Sequence, residues 1–97
     1  METGFYLVER YLPGTTADDV ASTVELVEST TAQMATEGIP VRYLGATFVP
    51  EDETCFCEFE AHSREAVEWA NERANVRFAR ILPAVRLSAR RNRRRPR

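Results

Sequence analysis

The chain has 97 residues, 43% hydrophobic and 29% charged, which predicts a single small domain with one modest core. No apolar run approaches the ~20 residues that a membrane-spanning helix needs. The first residues, Met-Glu-Thr-Gly, lack the basic and apolar segments of a signal peptide. These features weigh against a membrane partner and predict a cytoplasmic protein.

Charge is distributed unevenly along the chain. All 13 basic residues are arginine, and six of them lie at 90–97, which leaves a net charge of −8 over residues 1–89. This contrast predicts a folded domain at 1–88 followed by a disordered arginine-rich tail at 89–97. The tail at 90–97 could bind nucleic acid or another acidic partner, fold back onto the acidic domain, or have no role.

The first half of the chain predicts a strand and a long helix. Residues 4–12 are aromatic and β-branched, as strands prefer, and a proline–glycine turn follows them. Thr16 and Asp19 have the spacing of a capping box at a helix start. The helix is expected to end at Gly38. Its predicted apolar stripe is Ala17, Val20, Val24, Val27, Thr31, Met34 and Ala35.

The second half predicts a hairpin, a helix and a last strand. Val41–Val49 and Thr54–Ala61 read as strands joined by a polar turn. Ser63 is a helix cap, and Asn75 ends the helix that follows it. Residues 78–85 are predicted to form the fourth strand. The order β-α-β-β-α-β predicts a ferredoxin-like α+β fold, with a four-stranded antiparallel sheet and two helices on one face.

The strand at Thr54–Ala61 carries two different rows of side chains, because alternate residues point to opposite faces. One row is small or apolar and comprises Cys55, Cys57, Phe59 and Ala61. The other row comprises Phe56, Glu58, Glu60 and His62, the only histidine. We interpret the two cysteines as free core thiols, because an extended backbone holds their Cα atoms ~6.5 Å apart, which is poor disulfide geometry. A soft-metal or redox pair is the alternative, although no second cysteine pair completes a four-thiolate site.

Two helices cover only one face of such a sheet and leave the other open. That open face is expected to carry Phe5, Leu7, Glu9 and Tyr11 beside Phe56 and Glu58, extended by Val41, Tyr43, Gly45, Thr47 and Val49. So much exposed apolar surface predicts a homodimer in which the two sheets face each other as an α+β barrel. Carboxylates trapped in that interface would need partners.

The polar row predicts a candidate metal site. Its four candidate ligands are Glu9, Glu58, Glu60 and His62. Imidazole and carboxylate donors on one face suit nickel or another divalent metal, such as zinc or manganese. The alternative is pairing of these glutamates with arginines, for which Arg10, Arg42 and Arg80 are available.

Several short motifs resemble a bacterial family of domains of unknown function. They are Leu-Val-Glu-Arg at 7–10, Leu-Pro-Gly at 12–14, Val-Arg-Tyr-Leu at 41–44, Cys-Glu-Phe-Glu-Ala at 57–61, Ser63 with Glu-Ala-Val at 65–67, and Arg-Ile-Leu-Pro-Ala-Val at 80–85. Members of this family are described as nickel-binding or nickel-responsive, and the resemblance implies a dimeric ferredoxin-like fold. Glu9, Cys57 and Glu60 match the family pattern, whereas His62 stands where proline or another small residue is expected.

An enzyme is the other class of function that the pattern leaves open. Dimeric ferredoxin-like barrels often enclose a pocket between sheet and helices, and some act as small isomerases or monooxygenases. By that analogy Glu9 or Glu60 would be a general base, and Tyr6, Tyr11 or Tyr43 would orient a small-molecule ligand. No phosphate loop or cofactor motif accompanies these residues.

Overall fold

The computed structural model describes residues 3–87. Its elements are β1 (Gly4–Tyr11), α1 (Ala17–Thr36), β2 (Val41–Val49), a 3-10 turn (Pro50–Asp52), β3 (Thr54–Ala61), α2 (Arg64–Arg73) and β4 (Arg80–Ala84). This order confirms the predicted ferredoxin-like α+β fold. The tail predicted at 89–97 lies outside the described residues. Within residues 3–87, the helices are too short or too polar to cross a membrane.

The four strands form one antiparallel sheet in the order β2-β3-β1-β4. β1 and β3 are therefore the central strands, and Val8 lies opposite Cys57 in their pairing. α1 and α2 cover the face that carries these two residues, which we call the helix-facing side. Its buried core contains Val8, Val20, Val27, Met34, Val41, Cys55, Cys57, Phe59, Ala61, Val67, Ala70, Ala74, Val76 and Ile81.

The predicted helix caps are present. The Oγ1 atom of Thr16 accepts a hydrogen bond from the backbone N of Asp19 at 3.2 Å. The Asp19 carboxylate accepts one from the backbone N of Thr16 at 3.3 Å, which completes the capping box. Ser63 caps α2 by accepting a hydrogen bond from the backbone N of Ala66 at 3.2 Å. These bonds satisfy donors that a helix start otherwise leaves unpaired.

A bulge in β2 corrects the predicted composition of the open face. Tyr43 pairs with Phe59, whereas Gly45 pairs with the next residue of β3, so one extra residue of β2 lies between them. Odd-numbered residues of β2 consequently point to one side of the sheet before the bulge and to the other side after it. Val41 and Tyr43 point to the helix-facing side, and their placement on the open face was wrong.

Other element ends shift by a few residues. β1 stops at Tyr11, one residue earlier than predicted, and β4 spans Arg80–Ala84 rather than 78–85. The backbone N of Ala79 donates to the Glu9 carbonyl at 2.7 Å just before β4 begins. On α1, two residues of the predicted stripe, Ala17 and Ala35, are exposed, whereas Thr30 is buried and donates its hydroxyl to the Leu26 carbonyl at 2.8 Å.

Candidate functional site

The uncovered side of the sheet, which we call the open face, carries the predicted metal ligands. The pairing places Leu7 opposite Glu58 and Phe5 opposite Glu60, so carboxylates alternate with apolar side chains across β1 and β3. On β4, Leu82 lies opposite Leu7 and extends the apolar part. Each of these side chains is half-buried in the single chain.

Each of the three predicted carboxylate ligands on the open face forms an ion pair with a different arginine. Arg42 donates to Glu60 at 2.9 Å, Arg80 to Glu9 at 2.6 Å and Arg86 to Glu58 at 3.4 Å. The Arg86 guanidinium also lies 5.2 Å from the centre of the Phe5 ring. The pairs link neighbouring strands or the segment after β4, so each carboxylate is bonded to an arginine of its own.

His62 directly follows the last residue of β3 and lines a surface groove. The groove has a volume of about 360 Å³, and its lining is Gly38, Ile39, Pro40, His62, Ser63, Glu65, Ala66 and Trp69. Within residues 3–87 no group of three or more histidine, cysteine, aspartate or glutamate side chains is close enough to hold a metal ion. One chain therefore does not gather Glu9, Glu58, Glu60 and His62 into a single site.

The helix-facing side holds a second polar cluster, which lies inside the core. The Sγ atoms of Cys55 and Cys57 are 3.9 Å apart, and both thiols are free and buried, as the strand pattern predicted. Arg10, directly opposite Cys55 on β1, is only 7% exposed. The sheet therefore separates Arg10 from the open-face glutamates. The expectation that Arg10 is available to pair with them was wrong. The same alternation that buries Val8 predicts this position for Arg10.

The electrostatics of this cluster favour one ionised thiol. The hydrogen bond with Cys55 is the largest cause that lowers the pKa of the Cys57 thiol, and the nearby Tyr43 hydroxyl and Arg10 guanidinium lower it further against the effect of burial. The same thiol–thiol hydrogen bond raises the pKa of Cys55. The pair consequently loses its two protons in separate steps.

Arg10 and Tyr43 each have an unusual polar environment. The Nε atom of Arg10 donates to the Arg77 carbonyl at 3.0 Å, and no ion pair with a carboxylate involves Arg10 among residues 3–87. The Tyr43 ring packs edge-on against Phe59 with centres 5.1 Å apart, while its buried hydroxyl has no hydrogen-bond partner among the described residues. Burial raises the pKa of that hydroxyl, and the nearby Cys57 raises it further.

The space between the sheet and the helices is filled by side chains. Phe59, Met34, Ile81, Val8 and Val27 are among the largest fully buried ones. Two openings in the described part of the chain are surface grooves, the one beside His62 and a smaller one of about 180 Å³ lined by Tyr11, Arg77, Phe78 and Ala79.

A family model described as nickel responsive protein SCO4226-like matches residues 6–83. The chain belongs to this family. The solved structure of SCO4226 from Streptomyces coelicolor A3(2) superposes with a TM-score of 0.68 at 24% sequence identity, over 88% of this chain and 99% of that one. This likeness supports the fold. The comparison with curated proteins found no match.

Membership of the SCO4226-like family confirms the resemblance carried by the sequence motifs. The matched segment contains β3 and all but the first two residues of β1, and it therefore includes Glu9, Glu58, Glu60 and His62 as well as Arg10 and the two cysteines. The family description relates its members to nickel, and the open-face carboxylates and His62 have the donor chemistry that nickel accepts.

Proposed function

We propose that this protein is a homodimeric nickel-binding module whose two sheets pack face to face, with Glu60 and His62 of each copy as metal ligands. The observation that carries the proposal is the pair of donors at the end of β3, Glu60 on the open face and His62 directly after the strand, within a family described as nickel responsive. Imidazole and carboxylate are both accepted by divalent nickel.

Glu60 is the carboxylate that lies nearest to His62 along the chain, and its ion pair is exposed. Its partner Arg42 is 72% exposed at the side chain, and Glu60 itself 35% exposed. Exposed ion pairs contribute little, and a metal ion can replace the guanidinium at small cost. Glu9 is less exposed, at 26%, and its bond to Arg80 joins β1 to β4. We assign Glu9 and Glu58 to fixing the interface rather than to binding the metal.

The ligands of one chain do not complete the coordination of nickel. Two donors per chain leave the remaining positions to a second copy or to water. A two-fold dimer doubles the donor set, because the same patch faces itself across the axis. The dimer also buries Leu7 and Phe56, whose apolar surface on the open face would otherwise contact water.

The metal part of the proposal is tested by nickel titration calorimetry and elemental analysis of untagged protein. Combining Glu60→Gln with His62→Ala is expected to lower nickel stoichiometry or to weaken binding at least tenfold. Glu25→Gln, at an exposed position of α1, is the control and should bind as the wild type does. Unchanged binding in the double variant would eliminate these ligands.

The dimer is tested by light scattering after size exclusion. Leu7→Arg places a charge on the open face and should give a monomer, whereas Leu26→Arg, on the exposed side of α1, should remain a dimer. The Leu7→Arg monomer is expected to bind nickel more weakly than the dimer. A monomer that binds nickel equally tightly would show that the ligands are not shared between copies.

A further inference from the structure

The two buried thiols are in hydrogen-bond contact and too far apart for a disulfide, and their spacing also accommodates a metal ion held at a bent angle. Their Sγ atoms are 3.9 Å apart. Metal–sulfur bonds of about 2.3 Å at angles of 110 to 120° place two sulfurs about 3.8 to 4.0 Å apart, and a linear arrangement places them about 4.6 Å apart. A disulfide requires about 2.05 Å, so the sulfurs would have to approach by about 1.9 Å.

The surrounding charges favour a cation with a single positive charge. Two thiolates and the Arg10 guanidinium sum to one negative charge, which a monovalent cation neutralises. A divalent cation would leave a net positive charge in the core, where an uncompensated charge is costly. Arg10 has no carboxylate partner among residues 3–87, so the thiolates are the anions available to it.

The Tyr43 hydroxyl lies beside the Cys57 thiol, without hydrogen-bond geometry to any described residue. A buried hydroxyl without a partner is rare, because burial removes its hydrogen bonds to water. A thiolate sulfur is an acceptor for this O–H group. A Cys57 thiolate bound to a metal would therefore be a stronger acceptor for this O–H group than the thiol that lies beside it.

The donor number distinguishes the candidate metals. Structural zinc sites use four protein ligands, whereas this cluster offers two thiols. Thiolates suit Cu(I), zinc and iron–sulfur clusters, and of these Cu(I) is the one that is stable with as few as two or three soft donors. The carboxylates that suit nickel lie on the opposite face of β3.

We propose that Cys55 and Cys57 form a buried binding site for Cu(I), with Arg10 balancing the charge and Tyr43 donating a hydrogen bond to a bound thiolate. Binding of one Cu(I) forms two copper–sulfur bonds and releases the proton of each cysteine that is still a thiol, which is two protons from the fully protonated pair and one where Cys57 is already a thiolate, without change in the oxidation state of the metal. The site is independent of the proposed nickel ligands.

The test is competition for Cu(I) under anaerobic reducing conditions against a chromophoric Cu(I) chelator, with the full-length wild-type chain. One Cu(I) per chain is expected, with an ultraviolet thiolate-to-copper absorption band. Cys57→Ala and Cys55→Ala should each weaken binding at least hundredfold, and Tyr43→Phe about tenfold, as loss of a hydrogen bond to a ligand does. The matched control, Glu60→Gln with His62→Ala, should bind Cu(I) as the wild type does.

X-ray absorption of the copper-loaded wild type makes the test independent of whether the cysteine variants fold. Two sulfur neighbours are expected at about 2.2 to 2.3 Å from copper. Coordination by nitrogen or oxygen alone, a wild-type chain that loses all copper to the chelator, or equal affinity in a folded Cys55→Ala, Cys57→Ala double variant would each overturn the proposal. Loss of Cu(I) binding in the Glu60→Gln, His62→Ala control would overturn the assignment to the core.

Discussion

Replacing Gly45 by alanine should destabilise the fold through the backbone alone. Gly45 has a φ of 145°, which residues with a side chain rarely adopt, and a Cβ added there meets no atom within 4 Å. Steric overlap is therefore absent, and the cost is the conformational strain, about 1 to 3 kcal/mol. For a domain of this size each 1 kcal/mol lowers the melting temperature by about 4 to 8 °C.

The Gly45→Ala substitution also tests the role of the bulge. Gly45 directly follows the bulged position that turns Tyr43 toward Phe59 and the thiols. The measurement is urea unfolding followed by circular dichroism, with Thr47→Ala, an exposed position on the same strand, as the control. We expect the control to cost less than about 1 kcal/mol. A Gly45→Ala midpoint equal to that of the wild type would refute the reasoning, because it would mean that the strand accommodates alanine by changing its register without cost.

Three further substitutions test the packing, the capping and the pH dependence of the same fold. Phe59→Ala removes a fully buried ring and should cost about 3 to 5 kcal/mol by urea unfolding, whereas Phe59→Leu should cost much less. Thr16→Ala removes the capping box of α1 and should cost about 1 kcal/mol, with Thr16→Ser retaining most of the stability. The hydrogen bond from Arg73 lowers the pKa of Glu37 in the folded state, so this pair stabilises the fold above the unfolded glutamate pKa of about 4.3 and loses that contribution as the pH falls through the lowered value. Glu37→Gln should therefore lower the melting temperature at pH 7 but not at pH 2, and an equal decrease at both pH values would contradict the assignment.

Local patterns were sufficient to predict the order of the elements and the caps. The Thr16–Asp19 capping box and the Ser63 cap depend on residues three apart in sequence, and both are present. The alternation of β3 likewise predicted that Cys55 and Cys57 are buried. These features depend on backbone periodicity, which the residue order specifies directly.

The features that the sequence did not predict depend on contacts between distant residues. One extra residue in β2 reversed the predicted orientation of Val41 and Tyr43, and Gly45 was its only local signal. The pairing of Arg86 with Glu58 joins residues 28 positions apart. Residue type alone does not specify which arginine meets which glutamate, because this depends on strand order and register.

The central position of β3 explains why its two rows of side chains are held at fixed spacings. β3 pairs with β1 on one side and β2 on the other, so both of its edges are hydrogen-bonded. Drawing Cys55 and Cys57 together by about 1.9 Å to form a disulfide would distort both ladders at once. A metal ion bound at the existing separation does not require that distortion. The same rigidity keeps Glu60 on the opposite face from Cys57, so ligand binding by one row need not rearrange the other. If either metal is bound, the backbone amides of β3 should therefore remain protected from hydrogen exchange, and increased exchange along β3 on metal loading would contradict this view.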